Sequence, residues 1–499
     1  MNTDHELDRI VSDWLEARTV QPPHGSLAAA LERASATPQR RHRWLPWRFD
    51  RGSGASGDGS ARDGRGEHDR RGGRRLSSAT VAAAAATVAV IALAAIVGQG
   101  RGQPVVPVIG GATHYVAETD GAFRTIGEAV LAAEDGDTVL VAPGTYEEAL
   151  IIDKDITLVS SAEPPREVVL LVPEDAPDPV VPLSRFDPRA DRFELPERVP
   201  VGIQLIDSDA TLRGIRVIGR GDSIALLVSG GAPVLEGLVL KHEGGPLLET
   251  ALAGALFIEG GSTASVRDAH IWQRVRIAGG SSPTISDSQL SGVQLVVQEG
   301  SSPVFTDNSI DGGCGCDDVT VVGGSTPVFE GNTFVFGGMD VVGLDDDGTG
   351  AHLEGNRFSA HDADALSISG GASATVLGNS FYGNNQGVRV SGASADVRGN
   401  EFVGNWNAVM LSATDATLSD NNIRGGEIGV SVGDGSSATI SGNVIENVGT
   451  RGIYVADGTS PTIDANTICG STSNLVVGPA ASPVLGSNEI CADREVAAG

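Results

Sequence analysis

One phrase recurs along the second half of this chain at a nearly constant interval, and that interval restricts the fold more than any other feature. Anchors on the residue after each Ser or Gly turn fall at Pro303, Pro327, Ala351, Ala374, Ala395, Ala416, Ala438, Pro461 and Pro483. The steps between them are 24, 24, 23, 21, 21, 22, 23 and 22 residues. Five residues past every anchor stands an asparagine: Asn308, Asn332, Asn356, Asn379, Asn400, Asn421, Asn443, Asn466 and Asn488. Two residues further stands a large apolar residue, in turn Ile310, Phe334, Phe358, Phe381, Phe402, Ile423, Ile445, Ile468 and Ile490. Sustained self-similarity at such a period marks a solenoid, whose repeats bury apolar surface only by stacking on one another.

Each repeat holds three short apolar bursts, such as 374–376, 380–382 and 387–390, separated by Gly, Asn or Ser. Bursts this short and rich in β-branched residues suit strands rather than helical turns. The Leu-x-x-Leu-x-Leu frame of leucine-rich repeats is absent. The spacing therefore predicts a parallel β-helix. Less regular coils anchored at Ala210, Pro233, Ala264 and Pro283 precede the array. Stacked about 4.8 Å apart, the coils predict a rod of about 60 Å. The asparagines read as a ladder that tolerates left-handed backbone and bonds to the rungs above and below.

Composition agrees with a narrow tube, since there are 67 glycines and only 4% aromatics. Residues 1–78 carry 14 Arg against 11 acids, or +3, so a net charge of −29 leaves −32 on the remainder. Lys154 and Lys241 are the only lysines. Such an acidic chain is a poor ligand for nucleic acid.

The first third divides by composition. Residues 1–38 form a short cytosolic segment with an amphipathic pattern (Leu7, Ile10, Val11, Trp14, Leu15) and a second weak helix at 26–34, suited to an unidentified cytosolic partner. Residues 39–78 read as an Arg/Gly-rich linker. Residues 79–97 carry no charge over 19 positions and read as a single transmembrane helix, with 98–112 as a stalk and 113–495 as the β-helix domain. Eleven Arg against five acids between 40 and 75 place the amino terminus in the cytosol and the β-helix outside a bacterial cell membrane.

The opening coil carries Phe123-x-Thr-Ile-x-Glu-Ala-Val130, then Gly136-Asp-Thr-Val139, then Pro143-Gly-Thr-Tyr-x-Glu148. Thr125 is placed to cap a short helix whose Ile126, Ala129, Val130 and Ala133 share one face. These phrases resemble the opening of right-handed parallel β-helix proteins of the pectin-lyase-like superfamily, and the resemblance extends over about 113–491. It implies an all-β solenoid whose short N-terminal helix plugs the tube. The family's catalytic signatures are absent: there is no Asn-Thr-Asp with Gly-His-Gly, no Asp-Pro-His and no Gln-Asp-Thr.

Candidate chemistry is sparse. Asp318, Asp340 and Asp364, with His361 beside them, fall on adjacent coils and are the candidates for general acid–base work. Asp345, Asp346 and Asp347 are candidate Ca²⁺ ligands, that ion being the only cofactor the sequence suggests. Arg276, Gln294, Arg389 and Tyr454 are assigned to an outward column suited to a sugar. That column reads Arg276, Gln294, Thr320, Ser367, Arg389, Met410, Ser431, Tyr454, Val476. Cys469 and Cys491, each eight residues past its anchor, are expected to meet as a disulfide on the last two coils. Long excursions at 161–200 and 241–253 interrupt the period, and such breaks are where binding usually resides. The expectation is a membrane-anchored glycan-binding or scaffolding module of the cell envelope. Its rivals are a polysaccharide lyase, hydrolase or epimerase at the aspartates, and a purely mechanical spacer.

Overall fold

The computed structural model describes residues 111–117, 123–162, 167–179, 199–221, 223–243, 254–312, 317–342 and 348–494, without the side chains of 317, 318 and 340–342. The chain divides into two units, Met1–Gln99 and Gly100–Gly499, and every described residue belongs to the second. The two expected cytosolic helices, the linker and the span at 79–97 lie outside the described residues. Among the described residues, no helix is long and apolar enough to cross a membrane.

The described unit is a parallel β-helix built from three sheets. The first has 16 strands, from Thr113–Val116 to Val484–Leu485. The second has 15, from Gly144–Glu147 to Glu489–Ile490. The third has 14, from Leu150–Ile152 to Ser473–Val477. Each complete coil contributes one strand to each, as in Ser373–Leu377, Ser380–Tyr382 and Gln386–Ser391. Sixteen strands at about 4.8 Å make a stack of about 70 Å, longer than the anchors predict. The first coils hold their register without the repeating phrase.

Alternation explains the packing. Val388 and Val390 point into the tube and are fully buried, while Arg389 between them is exposed. Identical residues in successive coils stack. Phe334, Phe358, Phe381 and Phe402 form one column with ring centroids 4.5, 4.9 and 4.8 Å apart and near-parallel planes. Each buried ring contributes roughly 2 kcal/mol from area alone.

The asparagine ladder is continuous from Asn308 to Asn488. In a typical rung, Asn400 Oδ1 accepts from the backbone N–H and Nδ2 of Asn379, while Asn400 Nδ2 donates to Asn421 Oδ1 and the Val376 carbonyl at 2.9 and 2.8 Å. Ser288 takes the slot one coil earlier, its N–H donating to Asn308 Oδ1 at 3.0 Å. One expectation needs correction: the left-handed position is the residue before each asparagine from Asn308 to Asn466. Asp307, Gly331, Gly355, Gly378, Gly399, Asp420, Gly442 and Ala465 have positive φ, and the asparagines do not. The asparagine is selected for its amide, which satisfies buried backbone groups at the turn.

The two ends are closed differently. At the N-terminal end the helix Ile126–Ala132 buries Ile126, Ala129 and Val130 over the tube. Thr125 caps it by accepting from the Glu128 N–H at 3.1 Å. The Glu148 carboxylate accepts from the N–H groups of Ile126 and Gly127 at 2.9 and 2.8 Å. Lys154 donates to the carbonyls of Val130, Leu131 and Ala133 at the other helix end. Both charges complement the helix dipole. Asp137 accepts from the N–H groups of Glu134 and Ala112 and from His114, and these bonds lower its pKa to about 2. The opening phrases thus encode the plug. At the C-terminal end the tube's last inward residues, Leu485 and Ile490, are 51% and 43% exposed. A disulfide between Cys469 and Cys491 ties the last two coils of the second sheet.

Candidate functional site

The third sheet carries a column that includes Arg276, Arg389 and Tyr454. Register through the ladder reads Gln204, Leu227, Phe257, Arg276, Val296, Thr320, Asp340, Ser367, Arg389, Met410, Ser431, Tyr454, Val476. Two assignments change. Val296, not Gln294, stands beside Arg276, and Asp340 enters the column between Thr320 and Ser367. Gln294 lies just before the strand Leu295–Val297, two residues from Val296. Its Oε1 accepts from Arg274 Nε and Nη2 at 3.0 and 2.8 Å.

The proposed sugar-binding quartet is therefore not one surface. Arg276 is 3% exposed and sits over the Phe257 ring at 5.7 Å. Arg389 and Tyr454 do face outward in the later, open part of the column, where Arg451 stacks on Tyr454 at 4.5 Å. Among the aspartates, Asp364 lies three residues before Ser367 of that column, opposite Gln386, and its carboxylate accepts from Arg389 at 3.5 Å. Asp340 is one coil before Ser367, and Asp318 lies where the register of its strand shifts. Asp345, Asp346 and Asp347 lie outside the described residues. Among the described residues, no three His, Cys, Asp or Glu are grouped to hold a metal ion.

His361 is separated from these aspartates by burial. It sits in the turn between the second and third sheets, where Asn384 and Asn405 form a second, shorter ladder. The His361 N–H donates to Asn384 Oδ1 at 3.1 Å, and the Asn384 N–H and Nδ2 donate to Asn405 Oδ1 at 3.1 and 2.8 Å. His361 thus fills an asparagine slot. It is 2% exposed, with neither ring nitrogen hydrogen-bonded. Burial pushes its pKa down to about 4, an effect the nearby Phe334 carbonyl and Asp362 charge offset only in part. At neutral pH the imidazole is uncharged, and it is shielded from any substrate on the third sheet.

The same turn carries the most accessible aromatic side chains among the described residues. Trp406 is 59% exposed and Phe336 is 60% exposed. Backbone hydrogen bonds align the turn from coil to coil. The Phe336 N–H donates to the Ser359 carbonyl, Ala360 to Tyr382 and Gly383 to Val403, which sets Phe336, Ala360, Gly383 and Gly404 side by side. All four have positive φ, at 68°, 62°, 62° and 67°. A phenylalanine in this slot carries backbone strain that its glycine counterparts avoid. One step further along the turn, Asn385 donates to the His361 carbonyl, Trp406 to Asn384 and Glu427 to Trp406. A ridge results in which Asp362, Asn385, Trp406 and Glu427 succeed one another, with Phe336 about 14 Å before Trp406.

Between these side chains lies an open depression of about 590 Å³, lined by His361, Asp362, Asn384, Asn385, Trp406 and Glu427. Its floor is glycine: Gly383, Gly404 and Gly426. A Cβ at Gly426 would stand 1.8 Å from the Asn405 carbonyl oxygen, so no larger residue fits there. The depression thus offers a flat indole, planar amide and carboxylate groups, and no basic side chain.

The comparisons fit this architecture. The sequence profile of the family described as right-handed β-helix region matches residues 201–381, 273–416, 341–468 and 407–490. These overlapping matches run unbroken from 201 to 490, more than half of the 499 residues. The chain belongs to the right-handed β-helix family. Among solved structures, it is similar to tailspike protein 3 of bacteriophage CBA120, at 11% identity over 78% of this chain and 61% of the tailspike, with a TM-score of 0.38. It is also similar to the A-module of a mannuronan C-5 epimerase from Azotobacter vinelandii, at 14% identity over 76% of this chain and 97% of that one, with a TM-score of 0.32. A pectate lyase aligns at 13% identity over 67% and 79% of the two chains, with a TM-score of 0.30. No curated protein sequence matches significantly.

In this right-handed β-helix, sequence reasoning passed over Trp406 and Phe336. The available signal was positional: Trp406 follows Gly404-Asn405 where the preceding coil has Gly383-Asn384-Asn385, so the repeat itself marks the tryptophan as a substitution.

Proposed function

We propose that this protein is a membrane-anchored, extracytoplasmic β-helix that binds a glycan along the ridge from Phe336 to Trp406. The observation that carries the reading is Trp406, exposed in a depression whose accessible polar side chains are the amide of Asn385 and the carboxylates of Asp362 and Glu427. An indole face packs on the apolar face of a sugar ring, and fixed amides and carboxylates bond the ring's hydroxyls. The turn is held on both sides by sheet strands and from below by the Asn384–Asn405 ladder, so little ordering cost opposes binding. Asp362, Asn385 and Glu427, one per coil, suit an extended ligand lying along the rod axis. Residues 79–97 supply the anchor and 1–38 a cytosolic contact in this reading, both from composition.

Titration of the full-length chain with a panel of oligosaccharides tests the site. Binding that Trp406→Ala weakens at least tenfold supports it, and binding untouched by that change sinks it. Chain cleavage or epimerisation that disappears in Asp340→Ala would assign the protein instead as an enzyme of the third sheet. Extraction of the membrane fraction at alkaline pH tests the anchor: the chain should stay in the pellet and a deletion of 79–97 should release it.

A further inference from the structure

The depression has a charge character that selects among glycans. It is lined by two carboxylates, Asp362 and Glu427, and by no arginine or lysine. Nearby guanidinium groups are engaged elsewhere: Arg389 with Asp364, Arg424 with Glu401, Arg357 over the Tyr382 ring and Arg451 over the Tyr454 ring. Neither Asp362 nor Glu427 has an ion-pair partner among the described residues. His361, the other titratable residue at the depression, is 2% exposed and its pKa lies near 4, so it brings no cation there at neutral pH. Trp406 lies one coil from Glu427, and an indole face beside a carboxylate is a favourable seat for an ammonium ion.

We infer that the ligand of this ridge is a glycan bearing free amino groups, its ammonium seated against Trp406 and Glu427 with Asp362 receiving a second. The inference rests on the glycan-binding reading above and narrows it. Uronate and sulfated chains are disfavoured by the same two carboxylates and by the −32 carried beyond residue 78. No covalent step is involved.

The test compares three probes on the full-length chain by calorimetric titration at neutral pH: a glucosamine oligomer with free amines, the same oligomer fully N-acetylated, and an oligolysine of similar length. The free-amine oligomer should bind at least tenfold tighter than the acetylated one. The double variant Asp362→Asn, Glu427→Gln should reduce that preference to less than threefold. Trp406→Ala should weaken both glycans. Equal affinity for the two oligomers, or a preference that survives the double variant, overturns the amino-glycan inference and leaves glycan binding intact. Failure of both glycans to bind overturns the underlying reading as well. Oligolysine binding as tight as the free-amine oligomer, and lost in the double variant, would overturn the glycan class in favour of a cationic peptide.

Discussion

Two turns flank every strand of the second sheet, and they have followed opposite courses. From the coil of Asn308 onward, the turn before it repeats an asparagine on every coil, buried from Asn308 to Asn466 and each bonded to the next. The turn after it starts a ladder of the same kind but keeps it only from His361 to Asn405, and around this short ladder it displays Phe336, Asp362, Trp406 and Glu427. One turn spends its polar groups inward on backbone satisfaction, so every rung is interchangeable. The other exposes a different side chain on each coil, so its rungs are not. In a solenoid, repetition marks what holds the coils together, and departure from repetition marks what the surface recognises.

The comparison predicts effects that separate stability from binding. The largest belongs to the invariant turn. Asn400→Ala deletes four hydrogen bonds made by one buried amide, and at about 1 kcal/mol each should cost roughly 4 kcal/mol. Urea unfolding should record that loss while glycan affinity in native buffer stays unchanged. An effect on affinity as large as that of Trp406→Ala would erase the distinction between the turns.

The next is the rung where the two roles meet. His361 has a folded pKa near 4, below its unfolded value of 6.5. Between these values the unfolded chain binds the proton and the native chain does not. Stability is therefore full above about pH 6.5 and falls as pH drops towards 4, by roughly 3 kcal/mol in total. His361→Asn, which restores the ladder residue, should flatten that segment of a stability–pH curve. An unchanged slope would mean that some other group carries it.

A smaller effect is expected at the plug. Glu148→Ala leaves the N–H groups of Ile126 and Gly127 without their acceptor and should cost about 1–2 kcal/mol. Faster amide exchange at 126–132, with coils beyond 373 unaffected, would show that the loss is local. The smallest stability change belongs to Trp406→Ala, within about 0.5 kcal/mol because the ring is largely in solvent. Its effect should instead be seen in glycan titration.

How much was legible beforehand follows from the same contrast. The ladder asparagines, the phenylalanine column and the capping face of Ile126, Ala129 and Val130 could be read because each obeys a fixed offset or a helical period. Gln294 was misplaced because Gln294 and Val296 are two residues apart, and alternation alone cannot say which one stands beside Arg276. Asp340 was missed from the column because the interval to the next coil is lengthened by residues 343–349. His361 read as a catalytic partner because chain proximity to Asp362 and Asp364 says nothing about burial.

By itself, then, the sequence determined that the chain is a solenoid of parallel strands, where its coils begin and which residues fill them. A period is a local property, and every coil repeats it. Only the tertiary structure decided which outward residues share a surface, because that depends on interstrand register and on loops whose lengths differ from coil to coil. Trp406 and Phe336 are 70 residues apart in the chain. They come to lie on one ridge because three coils of hydrogen-bonded turns hold Phe336, Ala360, Gly383 and Gly404 in line.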